Sequence, residues 1–286
     1  MPKILLFGGS GFIGKHLINK MNGKYDFLSL SRNLEDNSMC SKIADILKPE
    51  SYEPFLENTE TIINLIGQIG PNLDQFTSSN LTGSLNLLNS AVKYNVKNII
   101  LISTINVYGE NNNSPSKETD ILSPESNYGI IKMMNEKLYE HFSKIYGINV
   151  TILRLSGVYG PGKIKGFFPQ MINAINDKTI ILKLYNYGNQ LRDFIYIDDA
   201  IDGILKSISH NSSGFDIFNI SSGNRYSIKE IISITEKLSN SHIGIEYSSK
   251  KFDEKCICAD NSKSKLILNF DPKISLNSGI QKTLNQ

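Results

Sequence analysis

The chain has 286 residues, 40% of them hydrophobic, with 30 Lys+Arg against 28 Asp+Glu and a net charge of +2. That is enough to bury one large core, or one core plus a small second lobe. The balanced, scattered charge argues against a nucleic-acid or membrane-surface binder. No stretch approaches the ~20 apolar residues of a membrane span. The apolar run 4–7 is too short for a signal-peptide core and enters Gly8 and Gly9 at once, so the expected compartment is the cytoplasm. Three cysteines, Cys40, Cys256 and Cys258, do not make a disulfide framework. Cys256 and Cys258 flank Ile257 on one face of an alternating segment, but no His or further Cys lies nearby, so no metal is expected.

In chain order, residues 3–7 form an apolar strand and residues 12–21 follow at helical period. Strands are expected at 26–30, 61–66, 98–103 and 149–155, and helices at 81–94 and 128–146, the last closed by Gly147. Near-continuous apolar strands alternating with helices predict an α/β chain, a doubly wound parallel sheet of the Rossmann type. Beyond about residue 156, Gly, Pro, Asn and Ser punctuate the pattern. The expected division is a dinucleotide-binding domain over 1–155, joined by parts of 190–218, with 156–286 mostly a smaller substrate-binding lobe.

The first strand runs straight into Gly8-Gly9-Ser10-Gly11-Phe12-Ile13-Gly14, which opens the first helix. Glycines there permit a tight turn, close approach of backbone to a pyrophosphate, and close helix–strand packing. The freed N–H groups and the helix dipole then face the phosphates. At the end of the second strand an acid would bind the ribose of NAD, but this chain has Ser31 and Arg32. A hydroxyl and a guanidinium suit a 2′-phosphate, so NADP is the expected cofactor and NAD the alternative.

Tyr128 and Lys132 stand four residues apart, on one helix face. A phenol of ordinary pKa ~10 is a poor acid or base near neutrality, and a neighbouring ammonium lowers it toward the working range. The same Lys132 can anchor a nicotinamide ribose. Upstream, Ser103 and Thr104 end an apolar strand, where active sites of open parallel sheets form. A hydroxyl there can bond the substrate oxygen that Tyr128 protonates, or simply satisfy backbone.

Together these elements resemble the extended short-chain dehydrogenases/reductases, the NAD-dependent epimerase/dehydratase family, nearly end to end. Asp45-Ile46 is similar to the family's adenine contact, and Asn64-Leu65-Ile66-Gly67 to its next cofactor-lining strand end. Asn80-Leu81-Thr82-Gly83 with Asn86 resembles its N-x-x-G-x-x-N helix. Residues 153–162, Leu-Arg-Leu-Ser-Gly-Val-Tyr-Gly-Pro-Gly, resemble its L-R-x-x-N-V-Y-G-P-G signature, and residues 190–199 its Q-x-R-D-F-I-Y-V-D-D signature. Phe218-Asn219-Ile220 and Asp271-Pro272 match weaker features. The resemblance implies that Thr104, Tyr128 and Lys132 are catalytic. It implies that Gly8, Gly11, Phe12, Ile13, Gly14, Ser31, Arg32, Asp45, Ile46, Leu65, Ile66 and Gly67 bind cofactor with Tyr128 and Lys132. Arg192 falls on the arginine that forks onto a nucleotide diphosphate. The implied partner is a nucleotide-activated sugar, and the implied assembly a homodimer through the helices at 81–94 and 128–146.

Two departures narrow the reaction. Gly157 replaces the signature asparagine, so one substrate contact is missing or supplied elsewhere. After Thr104 stand Ile105 and Asn106, where dehydratases of the family carry Asp-Glu, decarboxylases a Glu in second place, and GDP-fucose-forming members a Cys. Neither Ile nor Asn abstracts a proton from carbon, which leaves hydride transfer at one carbinol. The absence of an acid at Ser31 favours a 4-ketoreductase acting on a 4-keto-6-deoxy sugar nucleotide. The alternative is a 4-epimerase of the UDP-glucose or UDP-N-acetylglucosamine type with tightly held NAD. A more distant one is a sensor that binds NADP without turnover.

Overall fold

The apolar runs of the first half become the middle of a parallel sheet. The computed structural model describes residues 3–33, 40–67, 73–109, 115–210, 213–248 and 256–285. Its first half holds β1 (Lys3–Phe7), α1 (Phe12–Met21), β2 (Phe27–Ser31), β3 (Ser41–Ile43), β4 (Thr59–Asn64), α2 (Leu73–Thr77), α3 (Gly83–Lys93), β5 (Asn98–Thr104), α4 (Asn127–Tyr146) and β6 (Asn149–Leu155). Then follow β7 (Gly157–Tyr159), α5 (Phe167–Asn176), β8 (Leu182–Leu184), β9 (Leu191–Arg192), β10 (Phe194–Tyr196), α6 (Ile197–Ile208) and β11 (Phe215–Ile220). The chain continues through β12 (Tyr226–Ser227), α7 (Ile228–Ser239), β13 (Ile245–Tyr247), β14 (Cys256–Ile257), α8 (Ser262–Leu268) and α9 (Leu276–Leu284).

Seven strands pair in the order β11-β6-β5-β4-β1-β2-β3, all parallel. Alternate side chains of the central strands enter two different cores. Ile4, Leu6, Ile100, Ile102, Leu153 and Leu155 join Leu17 of α1 and Ile201 of α6 on one face. Leu5, Phe7, Ile99, Leu101, Val150 and Ile152 join Leu88 of α3 and Tyr139 of α4 on the other. Burial on both faces is why these strands read as unbroken apolar runs rather than as alternation.

The long helix α4 starts where Ser126 accepts from Gly129 N at 3.1 Å and ends at Gly147, whose φ of 70° closes it. The helix expected over 81–94 differs at its start. A π turn, Ser78–Thr82, joins α2 to α3. The extra residue in that turn swings Asn80 inward, where it is buried and donates Nδ2 to Phe76 O at 2.9 Å. The remaining strands form three small sheets, β10-β7, β12-β9-β14 and β13-β8, beside the C-terminal end of the large one. Among the described residues, no helix is long and apolar enough to cross a membrane.

Candidate active site

The strand ends, the glycine turn and the small sheets enclose a cavity of about 930 Å³. Gly8, Gly11, Phe12, Ile13 and Gly14 line one wall, Leu65 and Gly67 the floor, and Thr104, Tyr128, Lys132 and Arg192 the opposite side. The turn needs its glycines for close approach: a Cβ on Gly14 would lie 2.5 Å from Gly8 O. A turn this tight at a helix N-terminus suits the pyrophosphate of a dinucleotide, so the residues present fit NAD(P).

Ser31, Arg32, Asp45, Ile46 and Ile66 are not among the lining residues. The Ser31 hydroxyl accepts from Ser10 N at 3.0 Å, bracing the glycine turn, while Arg32 is exposed. Asp45 turns a carboxylate oxygen onto Leu47 N at 3.0 Å, and Ile46 is buried in the core against α3. Ile66 contributes through its carbonyl, which accepts from Lys132 Nζ at 3.1 Å.

Lys132 is 2% exposed and gives a second hydrogen bond to Ile102 O at 2.9 Å. Burial pulls its ammonium down to about 8, against the pull of Glu136 one turn further on. Burial pushes the Tyr128 phenol up to about 12, opposed by the hydroxyl of Thr104. The expected lowering of Tyr128 by Lys132 is therefore not present as the side chains stand, because Lys132 spends its donors on two carbonyls. At neutral pH Tyr128 is a phenol and Lys132 still mostly an ammonium.

Thr104 Oγ1 accepts from Asn106 N at 3.2 Å and from Asn106 Nδ2 at 3.1 Å. With both acceptor sites used, its O–H is left to donate, and the Tyr128 phenol is the partner it meets. Sequence reasoning assigned Asn106 no role; the signal was an amide two residues after a strand-end hydroxyl. Phe76, from α2, packs on Tyr128 with ring centroids 5.6 Å apart. Deeper, Glu136 binds Arg154 through Nε at 3.1 and 3.2 Å and Nη2 at 2.7 Å, and Ser103 donates to it at 2.5 Å. Arg154 also donates to Tyr108 Oη at 2.9 Å. This buried group ties α4, which carries Tyr128 and Lys132, to β5, which carries Thr104. Both residues line the cavity, but Ser103 gives its proton to Glu136.

At Gly157 the missing asparagine has a physical counterpart: a Cβ there would lie 2.6 Å from Phe194 Cδ1. The ring of Phe194 fills the room a side chain would need. Beside it, Lys163 lines the cavity, donates to Val158 O, and stands 5.5 Å over the Phe12 ring.

The comparisons with known proteins agree with this geometry. The profile of the NAD-dependent epimerase/dehydratase family matches residues 4–221. A UDP-glucuronate 4-epimerase of Thermodesulfobacterium geofontis is 34% identical over 312 residues, covering 100% of this chain and 96% of that protein. The solved UDP-glucose 4-epimerase of Thermotoga maritima, with UDP-glucose, superposes at a TM-score of 0.89 with 27% identity, over 99% of this chain and 97% of that one. The UDP-glucuronic acid 4-epimerase of Bacillus cereus, solved with UDP-glucuronic acid and NAD, gives 0.89 with 26% identity, over 99% and 98%. This chain belongs to the NAD-dependent epimerase/dehydratase family, the extended short-chain dehydrogenases/reductases.

Proposed function

We propose that this protein is an NAD-dependent 4-epimerase of a UDP-activated hexose or hexuronic acid. The observation that carries the reading is the side-chain set at the cleft: Thr104, Tyr128 and Lys132 act on one carbinol, with only Ile105 and Asn106 where a second proton acceptor would stand. That chemistry is common to a reductase and an epimerase. The full-length similarity to 4-epimerases favours the second. So does the cofactor side. NADP was expected from Ser31 and Arg32, but Ser31 is engaged by Ser10, and the related structure above holds NAD. The 4-ketoreductase reading with NADP therefore gives way to its alternative.

NAD over the glycine turn would supply a hydride acceptor that returns the hydride within the same turnover. Tyr128 takes the proton of the C4 hydroxyl and gives it back to the opposite epimer. Thr104, whose hydroxyl meets that of Tyr128, holds the same oxygen by turning its O–H to the substrate. As the side chains stand only the Thr104 hydroxyl opposes the burial that disfavours the phenolate, and Lys132 would have to leave the Ile66 and Ile102 carbonyls before its charge could add to that. Arg192 is suited to the diphosphate, being a forked cation at the cavity wall.

The test is to incubate the purified protein, without added cofactor, with UDP-glucose, UDP-N-acetylglucosamine and UDP-glucuronate. Interconversion of C4 epimers with constant bound NAD is expected. Tyr128→Phe should keep the bound nucleotide and lose roughly a hundredfold or more in turnover. Stoichiometric NADPH consumption on a 4-keto-6-deoxy sugar nucleotide, with no epimer formed, would return the reductase.

A further inference from the structure

The cleft wall beside the glycine turn carries a cation that the chemistry above does not use. Strand β7 ends at Tyr159, and the chain then reverses at once: Lys163 N donates to Gly160 O at 3.4 Å. The reversal relies on Gly160 and Gly162, whose φ values of 147° and 78° suit glycine alone. It sends the Lys163 side chain back along its own strand, where the ammonium donates to Val158 O. On another side stands the Phe12 ring, its centroid 5.5 Å away. Lys163 is half-buried and lines the cavity together with Gly157, Val158 and Arg192.

An ammonium has three N–H donors, and Val158 O takes one of them. Burial pulls the Lys163 ammonium below the usual lysine range, and no carboxylate among the described residues opposes that pull. A cation drawn part-way out of water without a counter-charge is costly, and an anion beside it removes the cost. Position says which anion. Phe194 is in register with Gly157, and Arg192 stands two residues before Phe194. With strands ~4.8 Å apart and ~3.3 Å per residue, the backbones that carry Arg192 and hold the Lys163 ammonium form one stretch of wall. A neutral donor at position 157 itself is ruled out, since a Cβ there would lie 2.6 Å from Phe194 Cδ1. The Lys163 ammonium, bonded to the carbonyl of the very next residue, comes to that place instead. The pyrophosphate of a dinucleotide already has the N–H groups and helix dipole of the glycine turn. The diphosphate of a nucleotide sugar carries more charge than one guanidinium offsets.

We propose that Lys163 is the second cation on the diphosphate of the nucleotide-activated sugar, acting beside Arg192 in place of the side chain that position 157 lacks, a role that rests on the nucleotide-sugar reading above. Val158 O keeps one N–H and so aims the ammonium, while the other two turn to phosphate oxygens. The Phe12 ring offers its face to the charge without competing for a hydrogen bond. Anchored at two cations, the diphosphate fixes the reach of the sugar toward Thr104 and Tyr128.

The test titrates UDP into the NAD-saturated protein by calorimetry and measures NAD affinity separately. Lys163→Met keeps the stem against Phe12 and removes the charge; Lys163→Arg keeps the charge. Lys163→Met should bind UDP about tenfold more weakly, and with a shallower dependence on salt, while Lys163→Arg stays within a few-fold of the wild type. NAD affinity should be the same in all three. Unchanged UDP affinity in Lys163→Met overturns the assignment. So does a loss confined to NAD, which would put the ammonium on the cofactor, and so does a loss shared by UDP and NAD or equal in the Met and Arg variants, which a structural role would produce. A wild-type protein that binds NAD but neither UDP nor UDP-glucose sinks the nucleotide-sugar reading itself, an outcome distinct from UDP binding that survives in Lys163→Met.

Discussion

Two carboxylates are equally buried, Glu136 behind the cleft and Asp193 beside it, each 2% exposed, and their surroundings differ. Glu136 has both oxygens in use, on Arg154 and Ser103, and Arg154 passes the contact on to Tyr108. Asp193 is held by neutral groups alone, Ser222, Ser156 and the backbone of Ala259. The first carboxylate is closed on a cation and works as scaffold. The second has only dipoles to offset its burial, which pushes its carboxyl up to about 6. The charge of the partner, rather than depth, separates the two.

Breaking the closed pair should have the largest effect. Glu136→Gln strands the Arg154 guanidinium in the core, and the expected loss is about 3–5 kcal/mol of unfolding free energy, read as a lower urea midpoint at unchanged slope. Replacing Glu136 and Arg154 together by leucine should recover most of it. A single variant as stable as wild type would mean that Arg154 finds other partners.

The carboxylate held by neutral groups should show itself through pH. Its acid constant is raised from 3.8 to about 6 on folding, so the folded state holds its proton longer than the unfolded chain. An acid raised in this way carries no penalty below the unfolded value and its full penalty above the folded one. Relative to Asp193→Asn, the wild type should therefore gain about 2 kcal/mol of stability between pH 7 and pH 4. A constant difference across that window would show that the carboxylate is better paired in solution.

The smallest effect sharpens the contrast. Ser103→Ala removes one donor from Glu136 and leaves the Arg154 fork intact, so about 1 kcal/mol of stability should go, visible in thermal unfolding. Turnover should change little, since the Ser103 proton is spent on Glu136. A large loss of turnover would place Ser103 on the substrate.

Much of the sheet was legible in the sequence, because β1, β4, β5 and β6 are buried on both faces and so nearly uninterrupted in apolar residues. The glycine turn and the Tyr128–Lys132 spacing were legible for the same kind of reason, since each is a local pattern. What escaped was non-local or short. Strand β3 is three residues, Ser-Lys-Ile, two of them exposed, and offers no period. The π turn depends on where Asn80 is pulled, which helical periodicity does not record. Glu136, Ser103 and Arg154 are 33 and 18 residues apart in the pairs that bond, so their types were visible but not their pairing. Asp193 stood within a recognised signature, yet only the fold reveals that Ser222, Ser156 and Ala259 hold it.

The sheet order also has a consequence for synthesis. Strand β6 is apolar and central in the finished sheet, but its outer neighbour, β11, begins at Phe215, and 59 residues separate that strand from Leu155. At ~5–20 residues per second, a ribosome needs on the order of 3–12 s to supply them. During that interval the nascent chain already holds the glycine turn, Thr104, Tyr128 and Lys132, while the backbone of β6 presents an unpaired edge. The side of the molecule that would receive the cofactor is thus written before the side that would receive the sugar, and the last strand of the large sheet to arrive is the one that covers the edge of β6.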